Sequence, residues 1–110
     1  MIYDRLVTFY RACDPPTLPP TLRRDSAHLY GERTVSYRRY FEAIQAGRQI
    51  DVVIQLPYVY DLPAEAYAEL PDGHMYSVVQ NQHTEDEDGL PVSVISLTRM
   101  EVHYDVRVFA

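Results

Sequence analysis

The sequence has one cysteine, no tryptophan and only four glycines, and 10 basic residues stand against 16 acidic ones. The single thiol, Cys13, excludes an intramolecular disulfide and suits a reducing compartment. A net charge of −6 argues against a protein that grips nucleic acid by neutralising phosphate, since that work needs a basic surface. The wall of a channel through which DNA slides is a different matter, because such a wall must not hold phosphate tightly. No apolar run is long enough for a signal peptide or a membrane span, so the expected compartment is cytosol, with no membrane partner. There is no G-x-S-x-G elbow, no phosphate-binding loop and no dinucleotide glycine pattern, and the expectation is a non-enzyme without a cofactor. His28, His74, His83 and His103 are too scattered for a zinc site, and Cys13 has no second cysteine to work with. The acidic run Glu85, Asp86, Glu87 and Asp88 invites a calcium reading. With Gly89 at the obligatory glycine of an EF-hand loop, however, Thr84 falls on the first ligand position and Ile95 on the last, so the motif fails. Asp51, Asp61 and Glu65 are the candidates for an acid pair, although charged residues capping a strand account for them more simply.

What is present is the composition of one globular domain: 110 residues, 46% apolar and 24% charged, enough for a modest core. The organising stretch is Tyr30 to Leu56, which reads as strand, helix, strand. Ser36 is the expected N-cap with Val35 stapled onto Tyr40. Tyr37, Tyr40, Phe41 and Ile44 then share one helical face, Arg38, Arg39, Glu42 and Gln45 take the other, and Gly47 ends the helix. Beyond it Ile50, Val52, Ile54 and Leu56 alternate with Asp51, Val53 and Gln55 at the period of a strand. Further strands are expected at Arg5 to Ala12, Ala66 to Leu70, His74 to Gln82, Val92 to Met100 and through Val102, Tyr104, Val106 and Val108. Pro71, Asp72 and Gly73 form a hairpin turn. Four prolines make a stiff loop of residues 13–26, and the acidic run makes a solvated loop of residues 82–91. The expected fold is therefore α+β and predominantly β, a small antiparallel barrel-like sheet carrying one short helix at about residues 37–46.

Tyr30, Ser36, Phe41, Ala43, Gly47, Ile50 to Ile54, and then Gly73, Tyr76 and Val78 follow an order of elements similar to that of the small head-tail joining proteins of tailed bacteriophages, the head-closure or stopper group. The resemblance covers roughly Ala27 to Thr98 and rests on element order, with Arg38 and Arg39 where the group often carries an acidic residue. It implies a virion structural protein, assembled in host cytoplasm and carried at the head-tail interface. Its partners would be a portal or adaptor ring, tail proteins and further copies of itself, in a homo-oligomeric ring of roughly six or twelve. Packaged double-stranded DNA would pass through the lumen without sequence-specific binding. The alternatives are a neighbouring connector component, adaptor or tail terminator, and, from another class, a small β-barrel module that binds peptide or single-stranded nucleic acid.

Candidate interface residues follow from chemistry that a core does not need. Leu18 and Leu22 are the expected anchors of the proline-rich arm, with Arg23 and Arg24 at its polar end. Arg38 and Arg39 oppose the helix dipole and so call for an external carboxylate. Tyr58 and Tyr60, in a proline-bounded loop, have the area and polar tip that interfaces favour. Glu85, Asp86, Glu87 and Asp88 are the expected lumen or gating loop.

Overall fold

The computed structural model describes residues 2–12, 21–33, 47, 49–63, 66–100 and 105–107. Seven strands are formed: β1 (Arg5–Ala12), β2 (Thr21–Arg33), β3 (Val52–Leu56), β4 (Ala66–Glu69), β5 (Met75–Glu85), β6 (Pro91–Arg99) and β7 (Asp105–Arg107). They lie in the order β1-β4-β5-β6-β3-β2-β7, and β1 also pairs with β2. The first six strands thus close on themselves into an antiparallel barrel, and β7 adds to β2 in parallel, Thr21 opposite Asp105.

The expectation of an α+β fold is corrected by this closure: the fold is all-β, and no helix occurs among the described residues. The helix expected at residues 37–46 lies outside them. The expectation rests on the helical spacing of Tyr37, Tyr40, Phe41 and Ile44, and about three turns of helix need a sheet face to pack on. A closed barrel supplies its own cover. Its interior is filled by Val7 and Phe9 of β1, Tyr30 of β2, Ile54 and Leu56 of β3, Ala68 of β4, Tyr76 of β5, and Ile95 and Leu97 of β6, with Leu70 beside them. The wall is buried on both faces at β3 and β6, where Val53, Val92 and Val94 gather with Ile50 in a second cluster.

Strand boundaries follow the alternation, with one large exception. β2 runs 13 residues from Thr21, so residues 21–26 of the expected proline-rich loop are strand, and Tyr30 lies within a strand whose start the sequence reading missed. β2 holds this length by bending: an irregularity at Phe9/Tyr10 lets Phe9 face Ser26 while Tyr10 faces Arg24, leaving Asp25 as the extra residue of a bulge.

The two tight turns are built alike. Gly73 N–H donates to the Leu70 carbonyl at 3.0 Å, and Gly89 N–H to the Asp86 carbonyl at 3.0 Å. Each is closed in return by a bond to the residue after the glycine, from Leu70 N–H to the His74 carbonyl at 3.3 Å and from Asp86 N–H to the Leu90 carbonyl at 2.9 Å. Both glycines sit at positive φ, +83° and +77°, the left-handed position that a three-residue hairpin loop requires. Of the solvated loop expected at residues 82–91, Gln82 to Glu85 therefore belong to β5 and Pro91 to β6, and the remainder is a tight turn joining the two strands.

Candidate functional site

β3 ends at Leu56, and the chain from Pro57 to Pro63 crosses the barrel where β3 no longer covers it. Tyr60 anchors the crossing. Its N–H donates to Ser93 Oγ of β6 at 2.8 Å. Its carbonyl accepts from Asn81 Nδ2 of β5 at 2.9 Å, with His83 Nε2 and Ser93 Oγ further off at 3.4 Å each. Its hydroxyl lies 2.9 Å from both Asp25 Oδ2 and Ser26 Oγ of β2, donating its proton to the carboxylate and accepting from the serine. Three strands of the wall are thereby tied to one residue of the plug. The Tyr60 ring packs against the core and lies 4.3 Å from the His28 ring, centroid to centroid.

His28 is the polar centre of this end. Nε2 is 2.9 Å from Ser26 Oγ and Nδ1 is hydrogen-bonded to the Tyr58 hydroxyl. Burial pulls its pKa below the ordinary histidine value, with Asp25 pulling weakly the other way. A neutral imidazole has one donor and one acceptor nitrogen, which is what two hydroxyl neighbours can satisfy together. Burial also raises the Tyr60 phenol, and at the edge of this end Asp61 Oδ1 is 3.5 Å from His83 Nε2. The Oδ1 of Asn81 is buried with no hydrogen-bond partner.

At the other end of the interior the β4–β5 turn is fixed by Asp72, which accepts from His74 N–H at 2.9 Å and from the Tyr76 hydroxyl at 2.7 Å. Burial alone would raise this carboxyl, but the two donors hold it below its ordinary value. Tyr76, buried against Asp72, is pushed up to about 12.

The second distinctive region is the β5–β6 hairpin. From Gln80 to Glu85 the strand is largely exposed, and its turn presents Glu87 and Asp88 to solvent. Asp86 does not face outward in the same way: its Oδ1 accepts from Asp88 N–H and Leu90 N–H, each at 2.9 Å, and so stiffens the tip. Between this tip and β3 lies an open groove of about 420 Å³, walled by Glu85, Asp86, Glu87 and Asp88. Its floor is Gln55, only 4% exposed, whose Nε2 donates to the Tyr3 hydroxyl at 2.7 Å and whose Oε1 accepts from Arg33 Nη1 at 3.1 Å.

The interface candidates read from sequence divide. Leu22 is fully buried, so it serves this chain's own packing and does not anchor an arm. Arg23 and Arg24 are exposed, but on β2 instead of in a loop. Tyr58 is 43% exposed, as an interface residue requires, whereas Tyr60 is drawn into the core. Leu18, Arg38 and Arg39 lie outside the described residues. Asp51 caps a strand end, accepting from Arg99 N–H at 2.7 Å and Thr98 Oγ1 at 3.2 Å, and it is far along the barrel from Asp61. Glu65, Cys13 and His103 lie outside the described residues. Among the described residues no group of three His, Cys, Asp or Glu side chains is placed to hold a metal ion. Sequence reading missed Asp25, Ser26, His28, Asn81 and Ser93. The available signal was the alternation of Ser26, His28 and Tyr30, obscured by placing Ser26 in a loop.

No family model matches the chain, and no curated protein matches it.

Proposed function

We propose that this protein is a structural component of the head-tail connector of a tailed bacteriophage, a ring subunit that closes the DNA-filled head and later lets DNA pass. The observation that carries the reading is the β5–β6 hairpin. Its outer half is exposed and ends in a turn stiffened by Asp86, with Glu87 and Asp88 outermost. An acidic tip held on two strands can stand beside packaged DNA without adhering to phosphate, because like charges repel and no basic group on the tip offers an ion pair. The closed barrel suits the rest of the task. It pairs β1 on both sides, with β2 and with β4, so that the first strand is not left as an open edge, while the plug at Tyr60 and the hairpin leave compact, shaped ends for ring neighbours. The resemblance in element order to head-closure proteins, from roughly Ala27 to Thr98, supports the same reading.

The experiment is removal of the gene and complementation, with heads and tails counted by electron microscopy. The expected result is DNA-filled heads that leak or fail to join tails, repaired by the natural chain. Normal joined particles in its absence would overturn the reading and turn attention to a binding module on the same barrel.

A further inference from the structure

At the end opposite the Tyr60 plug the inward rows of the barrel wall turn from apolar to charged. Arg5 continues the row of Val7 and Phe9 on β1, and Glu32, opposite Ile54, continues that of Tyr30 on β2. With the β4–β5 turn they enclose a pocket of about 170 Å³ in the mouth of the barrel. Val52, Leu70 and Pro71 form its apolar wall, and Tyr30 and Tyr76, only 2% and 4% exposed, reach its edge. Glu32 and Asp72 line it with two carboxylates against the one guanidinium of Arg5. The next cation, Arg99, is turned to His74 Nδ1 at 3.2 Å. Excess negative charge in a small, partly apolar mouth favours a cation.

The kind of cation follows from the oxygens. Glu32 Oε2 is held by Arg5 at 2.8 Å, and Asp72 accepts from His74 N–H at one oxygen and from the Tyr76 hydroxyl at the other. Neither carboxylate keeps both oxygens open for the planar fork of a guanidinium, whereas an ammonium takes single oxygens from several directions. Burial above all raises the Tyr30 and Tyr76 phenols, so each stays neutral, with an oxygen lone pair and a ring face that suit an ammonium. All ten basic residues of the chain are arginine, so no side chain of a second copy supplies this group.

We infer that this mouth binds a primary alkylammonium group, carried by a free amine or by a lysine side chain of a different protein. The ammonium lies between Glu32 and Asp72 beside the tyrosine hydroxyls, and its methylene stem lies on Val52, Leu70 and Pro71. Arg5 weakens the site by neutralising Glu32 in part. The site is separate from the acidic hairpin and stands whether or not the connector reading holds.

The test titrates the full chain, its tyrosine rings isotopically labelled for NMR, with n-butylamine near neutral pH, and repeats the titration with butyrate and n-butanol. Spectra of Tyr30→Phe and Tyr76→Phe assign the two rings. The amine is expected to shift the Tyr30 and Tyr76 signals saturably, and the two controls are expected to leave them in place. Arg5 and Glu32 are about half exposed, so their substitution spares the core, and they should act in opposite directions. Glu32→Gln weakens binding on the order of tenfold, as loss of a charged hydrogen-bond acceptor does. Arg5→Gln strengthens it on the order of tenfold, because a like charge is removed and Glu32 is released. An anion site would respond in reverse, and a merely apolar pocket would take n-butanol and ignore both substitutions; either result overturns the inference. So do amine shifts spread over the other tyrosines, or tighter binding of n-propylguanidine than of n-butylamine. Should a variant not fold, n-butylamine must raise the melting temperature of the natural chain above that in butyrate or n-butanol at equal concentration, and equal melting temperatures overturn it. Nα-acetyl-lysine methylamide separates the two sources. Binding as tight as that of n-butylamine supports the site as one for a lysine of another protein, and binding of the free amine alone supports it as one for a small amine.

Discussion

The ring of Tyr60 lies nearly parallel to that of Phe9, centroids 6.2 Å apart and planes inclined by 17°. One is in an irregular crossing and the other at the middle of β1, so the plug shares the barrel's core while its backbone bonds to the wall.

Tyr58 and Tyr60, two residues apart, should therefore behave differently. Tyr60→Ala removes a ring packed on the core and should cost about 2–4 kcal/mol, whereas Tyr58→Ser should cost under about 1 kcal/mol. Urea denaturation separates them. Equal losses would mean that the crossing is held by its backbone bonds alone.

Acid should loosen this end first. His28 is held below the ordinary histidine value of 6.5, chiefly by burial, so as pH falls the unfolded chain takes up that proton before the folded one does. The stabilisation is fully present above 6.5 and is lost progressively as the pH drops from there through the folded value. The melting temperature of the natural chain minus that of His28→Phe should fall between neutral and mildly acid pH, and a flat difference would show that His28 titrates alike in both states.

At the hairpin tip a methyl group at Gly89 would meet no atom within 4 Å, yet φ is +77°. The cost of Gly89→Ala should thus be conformational, about 1–2 kcal/mol. Chemical denaturation measures it, and a neutral substitution would indicate that the turn relaxes.

Within the acidic run, function and stability should separate by residue. Asp86→Ala strips two N–H groups of their acceptor and should cost about 1 kcal/mol. Glu87→Ser with Asp88→Ser should change stability by under about 0.5 kcal/mol while raising the share of unjoined or leaking heads in a complementation count. A normal particle count with the doubly substituted chain would remove the tip from the gating role.

Much of the β architecture was legible because burial on one side of a strand writes period 2 directly into the sequence: Val7 and Phe9, Ala66 and Ala68, Ile95 and Leu97 are inward pairs of this kind. Gly73, with Pro71 and Asp72, marked its turn for an equally local reason, whereas the turn at Gly89 was hidden by the acidic run beside it. The extent of β2 was not legible, since Arg23, Arg24 and Asp25 break the alternation at a bulge and follow prolines that suggest a loop. A barrel-like sheet was expected, but not which strands close it: β1 meets β4 about half the chain away, and that pairing leaves no mark on either segment. The site suffered for the same reason. Tyr60 was read as an interface residue from its proline-bounded neighbourhood, and only the three-dimensional meeting with Phe9, Ser93 and Asn81 assigns it to the plug.

The closing seam has a kinetic meaning. Thr8 pairs with Glu69 and Arg11 with Ala66, so the first strand must wait for a partner made long after it, and β3 likewise waits for β6. Loop closure over such separations is slow, in the range of milliseconds to seconds for small β proteins, because chain entropy is lost before the contacts repay it. On the ribosome the seam between β1 and β4 cannot form until the middle of the chain has emerged. The nascent β1 strand meanwhile exposes Val7 and Phe9, and the earliest partner able to cover it is β2, which follows it directly.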